Sequence, residues 1–550
     1  MSVTVAAPHV EAVPHAALGA SALFGAYLAG DPDALAFYRW SPHDPADLER
    51  AAEAAAAAAT ARGTRDGVAD VLAEQNRAWG AAPDVLARVD DLRRPDAVAV
   101  VTGQQLGLFA GPLYTVYKAR TAVRQARALA GATGRPAVPV FWLADEDHDF
   151  EEIHRATFAD GEDVRTVAYD DGRPPGADRG PVGRIVLDEG ATARALAELD
   201  AALPDGPYRA DALGLARGAY VPGRTMRDAF ARLLRALVPD VVLVSGDDAR
   251  LKRLALGLFR READDWRGTL EALDARSAAL EAAGFHAQIA PSPVNLFWMG
   301  EGSRTPLDPV DAGVVLRGTR ETLSLAALSE RIGAAPEAVS PNVVLRPLYQ
   351  DTLLPTAAYV AGPGEAAYFA QLGPVYERFG VPMPVVAPRL SLTVVEPGVA
   401  KVLDRYDLGV PDLKDDIAAL WRRFALEASD ADLGGAFAAA LRDATAAVEG
   451  LEPVVTQTDA GLARAVGAAR AKVEAAVRAL ETKTVRAEKK NHDVVRRRLA
   501  RARAALWPDG ALQERALGPL GVVARHGAGA LAALVEAVPL DPTVHHTVRP

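Results

Sequence analysis

The sequence contains no cysteine among its 550 residues. A disulfide framework, a cysteine-ligated zinc or iron–sulfur site and a catalytic thiol are therefore excluded. The sequence also has no run near the roughly 18 uninterrupted apolar residues that a membrane span needs. Its start, MSVTVAAPHVEAV, has no basic segment followed by an apolar one. We therefore expect a cytoplasmic protein.

The sequence has fewer basic than acidic residues. The 61 lysines and arginines stand against 72 aspartates and glutamates, which gives a formal net charge of -11. This balance argues against a general affinity for nucleic acid or for an anionic membrane. It leaves room for local basic patches.

Half of the residues are hydrophobic, so a chain of this length can bury at least one sizeable core. We predict an Ala-rich helical region over 1–95 and an α/β core over 96–395, with an inserted subdomain at about 249–340. A helical domain follows over 396–510, where the strand signal ends. We expect the tail, 511–550, to pack on the core.

The α/β prediction rests on short apolar runs that alternate with helical patterns. Such runs are typical of buried strands in a parallel sheet that is covered on both faces. The runs are AVAVVTG, PVFWLAD, VRTVAYD, VVLVSGDD, TAAYVAG and PVVAPRLS. Within the insertion, HAQIA and VNLFWMG are further candidates for extended segments.

A heptad stripe runs along the helical pattern of residues 460–506. Its members are Val466, Val473, Leu480, Ala487 and Val494, with Leu462, Ala469 and Ala476 as the companion row. Such a stripe indicates a coiled coil. We predict a homodimer through this helix, and an antiparallel hairpin with residues 412–450 is the competing arrangement.

The stretch VVTGQQLGLFAGPLYTVYKAR (100–120) leads from a predicted strand through a glycine-rich turn into a helix. Its glycines are spaced by four, which matches neither G-x-G-x-x-G nor the P-loop pattern. Exposed N–H groups at such a turn favour phosphate or carboxylate. The alternative is a turn that satisfies its own backbone. The candidate binding residues are Thr102, Gly103, Gln104, Gln105, Gly107, Gly111, Tyr114 and Lys118.

The stretch WLADEDHDFEEI (142–153) places acidic residues around one histidine directly after a strand. Such a group can hold Mg²⁺, receive an ammonium group or act as a general base. Capping of the next helix explains part of the cluster but not all of it. The catalytic candidates are Glu146, Asp147, His148 and Asp149, and the spacing specifies no metal.

A third polar stretch covers residues 340–391. Arg346 can clamp a carboxylate or a phosphate through two hydrogen bonds, and a second glycine turn lies at the next strand-to-helix junction. Open α/β sheets bind ligands at the carboxyl ends of their strands. The candidates here are Asn342, Arg346, Gln350, Gly362, Gly364, Glu365, Arg389 and Ser391.

These three stretches, together with FHAQIAPSPVNLFWM, RAEKKNHD and LQER, resemble the BshC family, the cysteine ligases of bacillithiol biosynthesis. The resemblance runs from about residue 97 to the tail. It implies a Rossmann-like core with connecting-peptide insertions and a coiled-coil domain that makes a homodimer. It also implies the last step of the pathway, in which the carboxyl group of L-cysteine joins the amine of glucosaminyl-malate, with ATP as the expected activator and Mg²⁺ as a further candidate.

The absence of cysteine suits an enzyme that handles free thiols, because it cannot form mixed disulfides. Neither H-I-G-H nor K-M-S-K-S, the signatures of the related class I synthetases, occurs in the sequence. Adenylate chemistry therefore does not follow from a motif. A nucleotide-sugar or nucleotidyl transferase is the alternative enzyme, and a coiled-coil scaffold is the non-enzymatic one.

Overall fold

The computed structural model describes residues 8–300, 302–311, 313–415, 417–418, 420, 424 and 433–550. The chain divides into two compact units. The core unit holds the residues up to 160, 164–396 and 511–550, and the helical unit holds 161–163 and 397–510.

The described strands are β1 His9–Pro14, β2 Val98–Gln104, β3 Ala137–Leu143, β4 Arg155–Asp160, β5 Asp163–Ala168, β6 Val242–Ser245, β7 Leu296–Gly300, β8 Ser303–Val310, β9 Gly313–Leu316, β10 Thr322–Ser324, β11 Val339–Pro341, β12 Thr356–Ala361, β13 Val385–Pro388, β14 Ser391–Val394 and β15 Val544–Arg549.

The helices as far as residue 406 are α1 Ala22–Leu28, α2 Pro32–Leu35, α3 Pro45–Arg62, α4 Arg65–Ala78, α5 Pro83–Asp91, α6 Leu113–Thr133, α7 Phe150–Ile153, α8 Glu189–Ala202, α9 Arg209–Ala219, α10 Met226–Leu237, α11 Ala249–Leu254, α12 Leu256–Ala282, α13 Leu325–Ala334, α14 Leu345–Leu353, α15 Pro363–Phe379 and α16 Pro397–Tyr406. The later helices are Leu433–Glu449, Glu452–Thr458, Ala463–Leu506, Gln513–Ala516, Pro519–His526 and Ala528–Ala537.

The central sheet has the strand order β13-β12-β2-β3-β6, and every neighbouring pair in it is parallel. Its strands are mostly apolar and almost wholly buried, because both faces are covered. Val140 and Trp142 of β3 face one hydrophobic core, whereas Phe141 and Leu143 face the other. The predicted α/β class with a parallel sheet is confirmed.

One predicted strand of this sheet lies elsewhere. The run VRTVAYD forms β5, which pairs with β4 in a separate two-stranded sheet. Three of its six residues are exposed and only Val167 is buried, as expected of a strand with a solvated face. Apolar content alone did not separate the two kinds of strand.

One further sheet, with the order β1-β15-β14, depends on contacts that are remote in sequence. β1 and β15, from opposite ends of the chain, pair antiparallel, and β15 also pairs parallel with β14. The Ala-rich start is therefore not wholly helical, and a strand does follow residue 395. Local propensity missed both strands because each depends on its distant partner.

The insertion carries an antiparallel sheet with the order β10-β9-β8-β7-β11. The expected segment VNLFWMG forms β7, whereas HAQIA has no regular structure. This sheet matters for function because β8 and the residues after β11 contribute to the cavity described below.

In the helical unit, Leu433–Glu449 packs against Ala463–Leu506 within one chain, and Glu449 pairs with Arg470 at 2.6 Å. Val466 of the heptad stripe is buried, whereas Leu480 is 58 % exposed. The side chain of Ala487 lies outside the described residues. The hairpin thus covers part of the stripe and leaves other apolar positions open.

No single described helix is long and apolar enough to cross a membrane. One bent pair, Pro519–His526 with Ala528–Ala537, meets that test of length and composition when both helices are taken together.

Candidate active site

A cavity of about 570 Å³ lies where β2, β3 and β12 end, at the carboxyl edge of the central sheet. The parallel direction of these strands brings three distant sequence stretches to one place. Its polar and aromatic lining includes Gly103, Gln104, Gln105, Tyr114, Lys118, Trp142, Glu146, Asp147, Glu152, Phe297, Arg304, Asn342, Arg346, Tyr359, Gly362, Gly364, Glu365, Tyr368, Arg389 and Arg515.

A buried ion pair joins the first stretch to the third. Lys118 Nζ donates to Glu365 Oε2 at 2.6 Å and to Gln104 Oε1 at 3.1 Å, and it also bonds the carbonyl of Gly103. Burial lowers the pKa of Lys118, and the charge of Glu365 opposes that shift. The lysine predicted to hold a substrate anion therefore already has an anionic partner.

Glu365 is the centre of this network. It accepts hydrogen bonds from Tyr359 Oη at 2.6 Å and from the backbone N–H of Gly362 at 2.8 Å. Burial raises the pKa of Glu365, but Lys118 and these hydrogen bonds outweigh burial, so the net shift is downward. Glu365 is thus ionised, and it caps α15 by accepting from the N–H of Gly362 at the start of the helix. Because Gly362, Gly364 and Glu365 line the cavity, the first turn of this helix lies at the cavity wall.

Three amides of the first glycine turn are bonded within the protein. The N–H of Gly107 bonds Gln105, that of Phe109 bonds Tyr220 Oη at 2.8 Å, and that of Gly111 bonds Leu108. A Cβ at Gly107 would lie 2.7 Å from Cα of Gly111. Gly107 and Gly111 are thus packing residues, which corrects their assignment as ligand-binding positions.

Two further members of the predicted binding set serve the sheet and its edge. Thr102 Oγ1 donates to the carbonyl of Val360 at 2.8 Å. Ser391 is buried and bonds Glu514 and His545, both at 2.8 Å. Neither residue is part of the cavity lining, and both side chains are bonded within the protein.

The acidic stretch separates into several roles. Asp147 lines the cavity and accepts from Gln105 Nε2 at 2.7 Å. Burial raises its pKa, but His148 and Arg304 outweigh burial and lower the pKa overall. His148 is about half exposed and lies 3.0 Å from Arg304 Nη1, outside the lining. His148 therefore contacts two lining residues, Asp147 and Arg304, and does not itself line the cavity.

The other candidates of this stretch are engaged in contacts within the protein. Glu146 lines the cavity and pairs with the buried Lys252 at 2.7 Å. Asp149 accepts from the N–H of Glu152 at 3.0 Å and caps α7, so its assignment as catalytic is corrected to a helix cap. Burial raises the pKa of Asp145, which lies outside the lining, to about 7.

Glu152, which the catalytic selection omitted, does line the cavity. Burial raises its pKa, and the charges of Asp149 and Asp147 add to that effect. A carboxylate with a raised pKa accepts a proton more readily than its neighbours. The sequence contains a sign of this position. Glu152 follows the capping residue, Asp149, by about one helical turn, and this spacing places its side chain near the end of the preceding strand.

Arg346 lies deep in the cavity wall. It donates to Tyr368 Oη at 3.1 Å and to Gln350 Oε1 at 3.3 Å. Gln350 is buried behind it and is outside the lining, so its predicted contact with a ligand becomes support for Arg346. Asn342 lines the cavity and donates to Asn295 Oδ1 at 2.8 Å.

Sequence reasoning missed several lining residues besides Glu152. Arg304 comes from β8 of the insertion and lies over the ring of Phe297 at 3.8 Å. Tyr359 and Tyr368 belong to the third polar stretch, residues 340–391, where each follows two alanines, and this signal was not used. Arg515 belongs to LQER, noted only as part of the resemblance.

Within the described ranges, no three histidine or acidic side chains are placed to hold a metal ion together. The lining instead combines five cationic side chains with four acidic ones: Lys118, Arg304, Arg346, Arg389 and Arg515, against Glu146, Asp147, Glu152 and Glu365. Such a mixed cavity suits a ligand that carries both an anionic and an amino group.

Comparison with known proteins agrees with this architecture. Residues 9–390 match the family described as bacillithiol biosynthesis BshC, N-terminal Rossmann-like domain. Residues 392–548 match the family described as bacillithiol biosynthesis BshC, C-terminal coiled-coil domain.

Three similar proteins share the name "Putative cysteine ligase BshC". The protein of Salinibacter ruber is 42% identical over 542 residues, 97% of each chain. Those of Koribacter versatilis and Chlorobaculum tepidum are 35% and 31% identical, over 98% and 88% of each chain. Because both of its parts match and these relatives span nearly its whole length, the chain belongs to the BshC family.

Proposed function

We propose that this protein is the cysteine ligase of bacillithiol biosynthesis, joining L-cysteine through its carboxyl group to the amine of glucosaminyl-malate. The observation that carries the proposal is the cavity, which gathers Asp147, Glu152, Arg346 and the N-terminus of α15 at one sheet edge. The family membership and the names of the relatives support the same reaction.

The reaction replaces an activated C–O bond of cysteine by a C–N bond. The sugar amine attacks the carboxyl carbon, the activating group leaves with the oxygen, and the amine loses a proton. Glu152 is our choice as proton acceptor, because its pKa is raised and it lines the cavity. Asp147 remains ionised and is our choice for the ammonium group of cysteine.

We further propose ATP as the activator of the cysteine carboxyl group. The N-terminus of α15 and the guanidinium groups of Arg346 and Arg389 are suited to phosphate oxygens. A magnesium ion that enters with ATP takes most of its ligands from phosphates and water. That mode of binding does not require a preformed cluster of carboxylates.

The test is a reaction with purified protein, L-cysteine, glucosaminyl-malate, ATP and Mg²⁺, followed by mass spectrometry. We expect a product that contains both substrates less one water, and none when any one substrate is omitted. Identification of the nucleotide product as AMP or ADP defines how the carboxyl group is activated. A complete mixture that yields no condensed product contradicts the proposal.

We also propose a homodimer formed through the helical unit. Its hairpin leaves apolar side chains open, with Leu451 57 %, Val454 65 %, Leu462 41 % and Leu480 58 % exposed. A second copy is a simple way to cover such positions. Light scattering at micromolar concentration should give the mass of a dimer, and a monomer mass of 57.8 kDa contradicts this arrangement.

A further inference from the structure

The short segment Gln513–Arg515 near the C-terminus is held firmly against β14. Gln513 makes two hydrogen bonds with the backbone of Val394, accepting from its N–H at 2.8 Å and donating to its carbonyl at 2.9 Å. Glu514 accepts from Arg389 at 2.6 and 2.8 Å and from the N–H of Leu392 at 3.1 Å. Both side chains are buried, so the backbone position of the next residue is fixed.

That next residue, Arg515, is exposed and lines the cavity. Its charge acts on the hydroxyl group of Tyr114, as do the charges of Glu152 and Arg389. Arg515 therefore lies within electrostatic reach of Tyr114, which also lines the cavity.

Arg515 differs from the other cationic residues of the lining. Lys118 and Arg389 have carboxylate partners at 2.6 Å, Arg304 lies 3.6 Å from Asp147, and Arg346 bonds tyrosine hydroxyls. Across the described part of the chain, Arg515 has neither an ion pair nor a side-chain hydrogen bond. Its guanidinium donors are available for a ligand.

We propose that Arg515 is a substrate-binding residue whose guanidinium group receives an anionic oxygen group of a substrate in this cavity. The shared chemistry is a carboxylate or a phosphate, which a planar guanidinium binds through two parallel hydrogen bonds. The inference rests on the proposed function for the identity of the two sources, the malate carboxylates and the ATP phosphates. It assigns the C-terminal segment to the active site.

The test compares Arg515→Gln and Arg515→Lys with Arg320→Gln, which removes an exposed arginine outside the lining. Calorimetric titration uses glucosaminyl-malate and ATP separately, and steady-state rates give KM for each. We expect Arg515→Gln to weaken binding of one of the two by about 10- to 100-fold, as loss of a charge-assisted pair does. Arg515→Lys should lie between wild type and Arg515→Gln, and Arg320→Gln should match wild type.

The ligand whose titration changes identifies the source of the anion. Arg515→Gln protein that unfolds like wild type and binds both ligands with unchanged affinity overturns the inference, and product formation by wild type then leaves the ligase proposal intact. Conversely, loss of binding in Arg515→Gln, with no condensed product from wild type, supports the inference and contradicts the ligase reaction.

Discussion

The two strand-to-helix turns of the central sheet look alike in sequence and differ in structure. The turn after β2 closes on itself, with Gly107 packed against Gly111 and the N–H groups of Gly107, Phe109 and Gly111 bonded within the protein. The turn after β12 is less crowded, because a Cβ at Gly364 would meet nothing within 4 Å, and the N–H of its first glycine, Gly362, is bonded to Glu365. A glycine-rich sequence at a strand end therefore does not by itself provide free backbone donors.

The two turns are also joined. Lys118 bonds Glu365 of the second turn, and it also bonds Gln104 and the carbonyl of Gly103 on the first side, so the closed turn serves as a support for the second one. The first turn contributes the side chains of Gln104 and Gln105 to the cavity lining, and the second contributes the first residues of α15.

The largest effect is expected from breaking the link between the turns. Lys118→Met leaves Glu365 buried without its cationic partner, which should lower the free energy of unfolding by about 3–5 kcal/mol. The double variant Lys118→Met/Glu365→Gln should recover much of that loss, because no unpaired charge remains. Urea denaturation checks both, and equal losses in the two variants would show that the ion pair is not what joins the turns.

A smaller loss of stability is expected at Gly107, and none at Gly364. Gly107→Ala places a Cβ 2.7 Å from Gly111, and such overpacking costs about 1–3 kcal/mol. Gly364→Ala enters open space and should leave the thermal transition nearly unchanged. A Gly107→Ala protein as stable as wild type would remove the distinction between the closed and the less crowded turn.

The pH dependence of stability should show whether Glu365 is ionised in the folded protein. Its pKa is lowered from the ordinary value of 4.5, so the stabilisation is present above that value and is lost as pH falls through the folded pKa. Unfolding free energies measured from neutral pH into the acid range should fall more steeply for wild type than for Lys118→Met/Glu365→Gln. Parallel curves would contradict an ionised Glu365.

The smallest effect is expected at the first turn itself. Gln105→Ala removes one hydrogen bond to Asp147 and should cost about 0.5–1.5 kcal/mol in stability. Because three amides of the turn are already bonded, ATP binding should change little in calorimetry. A large loss of ATP affinity in this variant would restore the first turn as an anion site.

The sequence was sufficient for the parallel sheet because its strands are locally apolar and its ligand edge follows from their direction. It was insufficient for β1 and β15, whose pairing joins the two ends of the chain. The acidic stretch was not divided correctly from sequence: Asp149 and Glu152 are similar in type, but one caps a helix and the other lines the cavity, and their spacing by one helical turn was a signal left unused.

Arg304 and Arg515 show a further limit of sequence reasoning. Both reach the cavity from segments that are remote in sequence from the acidic stretch, one from the insertion and one from the tail. No local pattern marks such residues, since their role arises from the packing of distant elements. Their partners, or the lack of them, became visible only in the fold.

The central claim is that the cavity at the sheet edge is where cysteine and the sugar amine are joined. The most direct measurement is the rate of condensed product formed by Glu152→Gln and by wild type at saturating substrates. We predict a loss of about 10²- to 10⁴-fold, as removal of a general base gives, with an unchanged thermal transition. A folded Glu152→Gln protein that works at the wild-type rate would contradict the claim.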